Sequence, residues 1–387
     1  MEQIITLPCQ NFITNLILNS PFIQDIGLMH GKTGIAITLY HLSRETGNPV
    51  FEDFAGELLD DVTRNLTTRT SSDFENGLAG IGWGIEHLIR KGFLDADPDD
   101  ILEDVDEQLF RRFLETPPQK IGLLNGTLGY CFYFLSRIQG EKKNADGMIY
   151  RTNILAIRQI IIFLVLQVSE NPILWREPQK LNSVVPPQLI NENINRVPVF
   201  DLLWDLSMVV RFAAHAASLP LLYPEVQKLA LLLLEGCSQD QGLVLRGNRL
   251  NLLLSLEKLK QTFRDNRDAG SGKILGLAGQ LISNLNLINE NTMEGTGTTD
   301  FSLQYGMGGK FLIVTKLHEL TSDISLKRES DKLLSELLSS DFLANYRFDY
   351  TNPGNAGAEE LGLLRGLAGL IMVSLRPLRL CEKKLQE

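Results

Sequence analysis

The residues of this chain that could do chemistry are few and scattered. The five histidines are His30, His41, His87, His215 and His318, and the four cysteines are Cys9, Cys131, Cys237 and Cys381. No cysteine lies within four residues of another cysteine or of a histidine. A local zinc or redox motif is therefore missing from the sequence. Carboxylates offer a second chemistry. Two of them set across a cavity at about 5–10 Å hydrolyse glycosidic bonds. The candidates are Asp73 or Glu75, Asp201 or Asp205, and Glu359 or Glu360. Asp201 and Asp205 stand at i, i+4 and share one helical face. Acidic residues also collect at helix N-termini for dipole reasons alone. Trp83, Trp175 and Trp204 are far apart, so no aromatic sugar platform accompanies the carboxylates.

The elements that must position these residues announce themselves through glycine. Six Gly-x-x-Gly units recur: Gly31-Lys-Thr-Gly34, Gly77-Leu-Ala-Gly80, Gly126-Thr-Leu-Gly129, Gly276-Leu-Ala-Gly279, Gly306-Met-Gly-Gly309 and Gly366-Leu-Ala-Gly369. Glycine in a helix costs roughly 0.5–1 kcal/mol relative to alanine, so its repetition implies close backbone approach at those points. Self-similarity at a long period points to a repeat architecture. Each unit opens a helix-like apolar run, such as Ile35, Leu39 and Leu42, or Ile81, Ile85, Leu88 and Ile89. A second amphipathic run follows, as with Phe54, Leu58, Leu59 and Val62. Gly92 is placed to end the second inner helix. Asn76 and Asn125, each just before a first glycine, are placed to cap free N–H groups, and Glu75 to complement a helix dipole. The chain is expected to be all-α, with about seven helix pairs in one domain spanning residues 1–387.

Two stretches break the pattern. Residues 169–200 carry Pro172, Pro178, Pro186, Pro187 and Pro198 and read as a long irregular excursion. In the helix that follows, Asp205-Leu-Ser-Met208 stands as a degenerate fourth repeat start. The fifth repeat has two possible registers. Either Gly276 opens an inner helix without an outer partner, or Leu250–Phe263 is the inner helix and Gly276 belongs to an outer one.

Composition bounds the function. Among 387 residues, 44% are hydrophobic and 22% charged, ordinary for a globular protein. The net charge of −10, with no basic cluster, argues against a nucleic-acid partner. The N-terminal residues lack a secretory pattern, and the most apolar segment, Ile160–Leu166, is too short to span a bilayer. These features predict a reduced, cytoplasmic protein without a membrane span.

Met29-His-Gly-Lys-Thr-Gly-Ile-Ala, Asn76-Gly-Leu-Ala-Gly-Ile-Gly-Trp-Gly and Gly362-Leu-Leu-Arg-Gly-Leu-Ala-Gly-Leu resemble the repeat starts of the lanthionine synthetase C (LanC-like) family of lanthipeptide cyclases. The resemblance runs over roughly residues 25–375 and is weakest across 140–270. It implies an α/α toroid, with inner helices ringed by outer ones and a cavity at one end. It also implies one zinc ion, bound by two cysteines and a histidine, that activates a peptide thiolate for addition to a dehydrated Ser or Thr.

The ligand motifs depart from that expectation. Gln304-Tyr305-Gly306 stands where the family carries Cys-His-Gly, and Ile274-Leu275-Gly276 where it carries Cys-Tyr-Gly. In the other register, Leu245-Arg246-Gly247 has no cysteine either. The family's cavity Asp would fall on Gly122 and its cavity His on Trp204. The reading is a zinc-free, degenerate relative, a pseudoenzyme with no metal cofactor. It holds a peptide substrate or precursor peptide and assists ribosomal peptide modification beside a separate modifying enzyme. Its cavity candidates are His30, Glu75, Asn125, Trp204, Asp205, Gln304, Tyr305 and Arg365, each at or just before a repeat start. The alternative is an α/α-barrel carbohydrate-active enzyme using a carboxylate pair.

Overall fold

The computed structural model of the chain describes residues 7–140, 147–170, 198–239, 249–265, 269–286, 303, 306–338 and 361–375. All regular structure among them is helical. The chain divides into two compact units. Unit 1 comprises Met1–Val105, Thr298–Leu312 and Lys327–Glu387, and unit 2 comprises Asp106–Gly297 and Ile313–Leu326.

In unit 1, α1 (Leu7–Asn19) precedes the hairpin of α2 (Lys32–Thr46) and α3 (Val50–Asn65), and α4 (Leu78–Arg90) packs beside α2. Helix α2 is buried at every residue from Lys32 to Ser43, as an inner helix enclosed on all sides must be. Helix α3 buries only the stripe Ala55, Leu58 and Val62 and turns its acidic first turn, Glu52 and Asp53, outward. Gly47 (φ 69°) follows α2 and Gly92 (φ 68°) lies just beyond α4, both left-handed positions that suit glycine at a helix end.

The repeat starts have a common build. The first-turn amides of Lys32, Leu78 and Thr127 donate to the carbonyls of Asp25, Ser71 and Lys120, at 3.0, 2.8 and 3.0 Å. The preceding loop thus folds under each inner helix and takes up N–H groups that a helix N-terminus leaves open. The second glycines follow suit. A Cβ on Gly34, Gly80, Gly309 or Gly369 would run into the carbonyl oxygen of Leu28, Phe74, Leu303 or Leu363, respectively. Asparagine capping, expected at Asn76, does not occur: Gly77 is the N-cap of α4 and makes no side-chain cap bond. The loop carbonyl has already satisfied the amide that Asn76 would have capped.

Unit 2 holds α6 (Thr127–Gly140), α7 (Met148–Glu170), α8 (Pro198–Ala216), α9 (Tyr223–Gln239), α10 (Arg249–Asp265) and α11 (Ala269–Asn286). Helix α8 packs between α6 and α10, while α9 packs between α7 and α11. Two layers result, and they settle the fifth register. Helix α10 is the inner helix, and Gly276 and Gly279 lie within the outer α11, with nothing within 4 Å of a Cβ placed on either. That Gly-x-x-Gly is therefore not a repeat start.

Helix α5 (Pro98–Glu115) leads from unit 1 into unit 2, and α12 (Met307–Thr321) and α13 (Ile324–Leu338) also carry the chain between them. A last helix covers 367–375. Among the described residues, α7 is long and apolar enough to cross a membrane by length and composition, contrary to the short segment expected, but half of its apolar window is buried. Its buried face packs on α6 and α9. The excursion expected at 169–200 lies almost wholly outside the described residues.

Candidate functional site

In unit 1 the loops before the inner helices are tied to one another through their backbones. The Leu303 amide donates to the Leu364 carbonyl at 3.0 Å. Leu363 and Leu364 both donate to Met29 O, at 2.8 and 3.1 Å, and Met29 donates to Glu75 O at 2.9 Å. The last repeat start is thereby the neighbour of the first, and Thr38 Oγ1 reaches Ala368 O at 3.5 Å one helical level below.

This belt brings His30 and Glu75 together. His30 is 6% exposed, and its Nε2 lies 3.1 Å from Glu75 Oε1. The carboxylate accepts, so Nε2 carries the proton, which leaves the buried Nδ1 without a partner. The bond from His30 holds the Glu75 carboxyl below its usual range, with the His30 and Arg365 charges adding to the effect against desolvation. Arg365 thus joins the same electrostatic neighbourhood. Asp25 is a member that the sequence reading missed. Burial pushes its carboxyl up, opposed by the Gly27 amide, which donates to Oδ1 at 2.7 Å, and by the charge of His30. The Asn76 side-chain amide is placed to donate to Asp25 Oδ2 at 3.2 Å. Asp25 sits six residues before Gly31, in the strip of loop that folds under α2, and that offset was the available signal.

The remaining candidates lie in unit 2 or outside the described residues. Asn125 is exposed ahead of α6. Trp204 is 8% exposed on α8, a buried packing position. Asp205 Oδ1 accepts the Leu123 amide at 3.2 Å, and its carboxylate stands 2.8 Å from where a Cβ on Gly122 would be. Glycine at 122 is what lets this carboxylate close on the loop. Gln304 and Tyr305 lie outside the described residues.

Among the described residues, the carboxylates proposed for sugar hydrolysis already hold local partners. Asp73 Oδ1 accepts the amides of Asn76 and Gly77 at 2.7 and 3.1 Å, Glu75 faces His30, and Asp205 holds Leu123. The Asp201 side chain, Glu359 and Glu360 are outside the described residues. A zinc donor set fares no better. Ile274 is fully buried within α11. Burial raises the Cys131 thiol well above its ordinary range, the opposite of what a thiolate ligand needs. Among the described residues no three His, Cys, Asp or Glu side chains are placed to hold a metal ion. The described residues therefore offer no donor set for the zinc that the resemblance implies.

Two further clusters are structural. Arg137 is fully buried and makes a fork-like pair with Asp106, with Nε at 3.1 Å from both oxygens and a terminal nitrogen at 3.0 Å. Tyr133 and Asn153 donate to the same carboxylate at 2.5 and 3.1 Å. In unit 1, His41 and His87 meet at 3.3 Å between their Nε2 atoms, and Trp83 stacks on His87. Burial, with Arg90 and Lys91 nearby, lowers His87 to about 4.

Residues 23–182 match the sequence pattern of lanthionine synthetase C-like proteins. The fold matches that of nisin cyclase with a TM-score of 0.56 at 14% identity, over 91% of this chain and 88% of the other. No curated protein matches the chain by sequence. The fold class is therefore the α/α toroid. Over residues 23–182 the chain is thus similar to the lanthionine synthetase C-like proteins, and its described residues carry no zinc ligand set.

Proposed function

We propose that this protein is a zinc-free relative of the lanthipeptide cyclases that holds a peptide and assists its modification by a separate enzyme. The observation that carries the reading is the His30–Glu75 pair, 3.1 Å apart at the helix N-termini of unit 1 in the field of Arg365. Acid, base and cation lie together there, beside backbone groups of the repeat loops, and this mixture suits an extended chain rich in amides. The resemblance to lanthionine synthetase C-like proteins points to the substrate class, and the side chains at the expected ligand positions supply the argument against zinc. Asn125, Trp204 and Asp205 of unit 2 are secondary candidates under the same reading.

The test combines elemental analysis of the purified protein with a binding and mass assay. The probe is a linear synthetic peptide carrying one cysteine and one dehydroalanine, titrated with and without added zinc. Binding without ring formation is expected, and His30→Ala should weaken it. Stoichiometric zinc, or ring closure above the uncatalysed rate, would overturn the reading.

A further inference from the structure

The arginines of unit 2 are treated unequally. Arg137 has a buried carboxylate and Arg158 pairs with Glu225 at 3.1 Å. Arg211, on the inner helix α8, is part-buried, and its partner among the described residues is the Asn251 side chain, whose Oδ1 accepts from a terminal nitrogen at 3.0 Å. Asn251 is 4% exposed and sits in the first turn of the neighbouring inner helix α10, a turn without an acidic residue. Desolvation lowers Arg211 to about 10, so the environment strains against the charge without removing it at neutral pH. A guanidinium has five N–H donors in a planar fork, and an amide oxygen neither uses that fork nor neutralises it. Buried charges are ordinarily paired, and the N-terminal turn of a helix adds positive potential at the same place.

We propose that Arg211, braced by Asn251, is a binding site for a carboxylate, and that the peptide this protein holds presents one there. The second clause rests on the peptide-binding reading; the site itself does not. A carboxylate matches the guanidinium fork with two parallel bonds and a single compensating charge. Its source is either an acidic side chain or a C-terminal carboxylate.

The experiment uses the full chain labelled with nitrogen-15 arginine. The Arg211 side-chain signal, identified by its loss in Arg211→Lys, should shift saturably with acetate and with N-acetylaspartate amide, but not with N-acetylasparagine amide. Equal responses to the acid and its amide, or none, would overturn the site. Two variants separate binding from a structural role. Arg211→Met should keep or raise the melting temperature and abolish the rise that acetate produces, because an unpaired buried charge does not support the fold. A structural arginine would lower it. Asn251→Asp supplies a carboxylate from within the chain, so it should raise the melting temperature and silence the acetate response. Three peptides of one sequence then identify the source: a free C-terminus without acid, an amidated peptide with one aspartate, and an amidated neutral one. The neutral peptide should bind roughly 10- to 100-fold more weakly than one charged form. Equal binding of all three would sink the carboxylate inference and leave the peptide reading standing. An acetate response with no peptide bound would do the reverse.

Discussion

Gly77-Leu-Ala-Gly80 and Gly276-Leu-Ala-Gly279 are the same four residues in two environments. At the first, the loop carbonyl of Phe74 fills the space where a side chain would stand. At the second, the space is open and the glycines ride in the middle of an outer helix. The motif is permissive rather than instructive: it allows a loop to press on a helix start but does not bring the loop there. Buried polar groups repeat the contrast. Arg137 in unit 2 is saturated by Asp106, whereas His30 in unit 1 is bonded on one side and bare on the other. Saturation marks a residue that holds the fold, and the bare Nδ1 of His30 marks unit 1 as the place to look for a ligand.

The largest effect should come from the saturated cluster. Asp106→Ala leaves Arg137 buried and unpaired, and should destabilise the protein by about 3–5 kcal/mol in urea unfolding. A loss under ~1 kcal/mol would place Arg137 with Arg211 instead. Gly80→Ala is next, at about 3 kcal/mol, because its Cβ meets backbone that cannot step aside. Tolerance of alanine at 80 would erase the distinction between the two glycine tetrapeptides.

The histidine pair gives a pH-dependent test. His87 is held neutral in the folded state, its pKa lowered to about 4 from 6.5. The unfolded chain binds that proton more readily, so the contribution is complete above pH 6.5 and is lost as pH falls towards 4. Partial exposure reduces the effect to roughly 1–2 kcal/mol. The difference in stability between wild type and His87→Phe should shrink across that window, whereas a constant offset would assign the pair no proton linkage. Smallest of all, Gly279→Ala should stabilise by roughly 0.5–1 kcal/mol, since it restores helix propensity where nothing obstructs the methyl group. Destabilisation there would mean that α11 has a neighbour at that face.

Much of the architecture was legible in the chain because it depends on short-range rules. Apolar residues every three or four positions made the helices, and Gly92 marked where α4 stops. The loops before Gly31 and Gly77 were visible as starts, though asparagine capping was the wrong mechanism. The candidate site was legible only in part. His30, Glu75 and Arg365 could be named because each precedes a repeat start; Asp25 was missed although its offset before Gly31 marked it, and Arg211 and the His41–His87 contact had no local sign.

The physical reason is separation along the chain. Periodicity and glycine spacing are properties of neighbours, and they set an all-α chain of paired helices with tight starts. Which of two identical tetrapeptides receives a loop, which carboxylate fills the space above Gly122, and which arginine meets an amide are decided by residues far apart in sequence. Asp205 reaches Leu123 and Arg211 reaches Asn251 only after the inner helices have packed. No local pattern encodes those meetings, so the tertiary structure alone decided them.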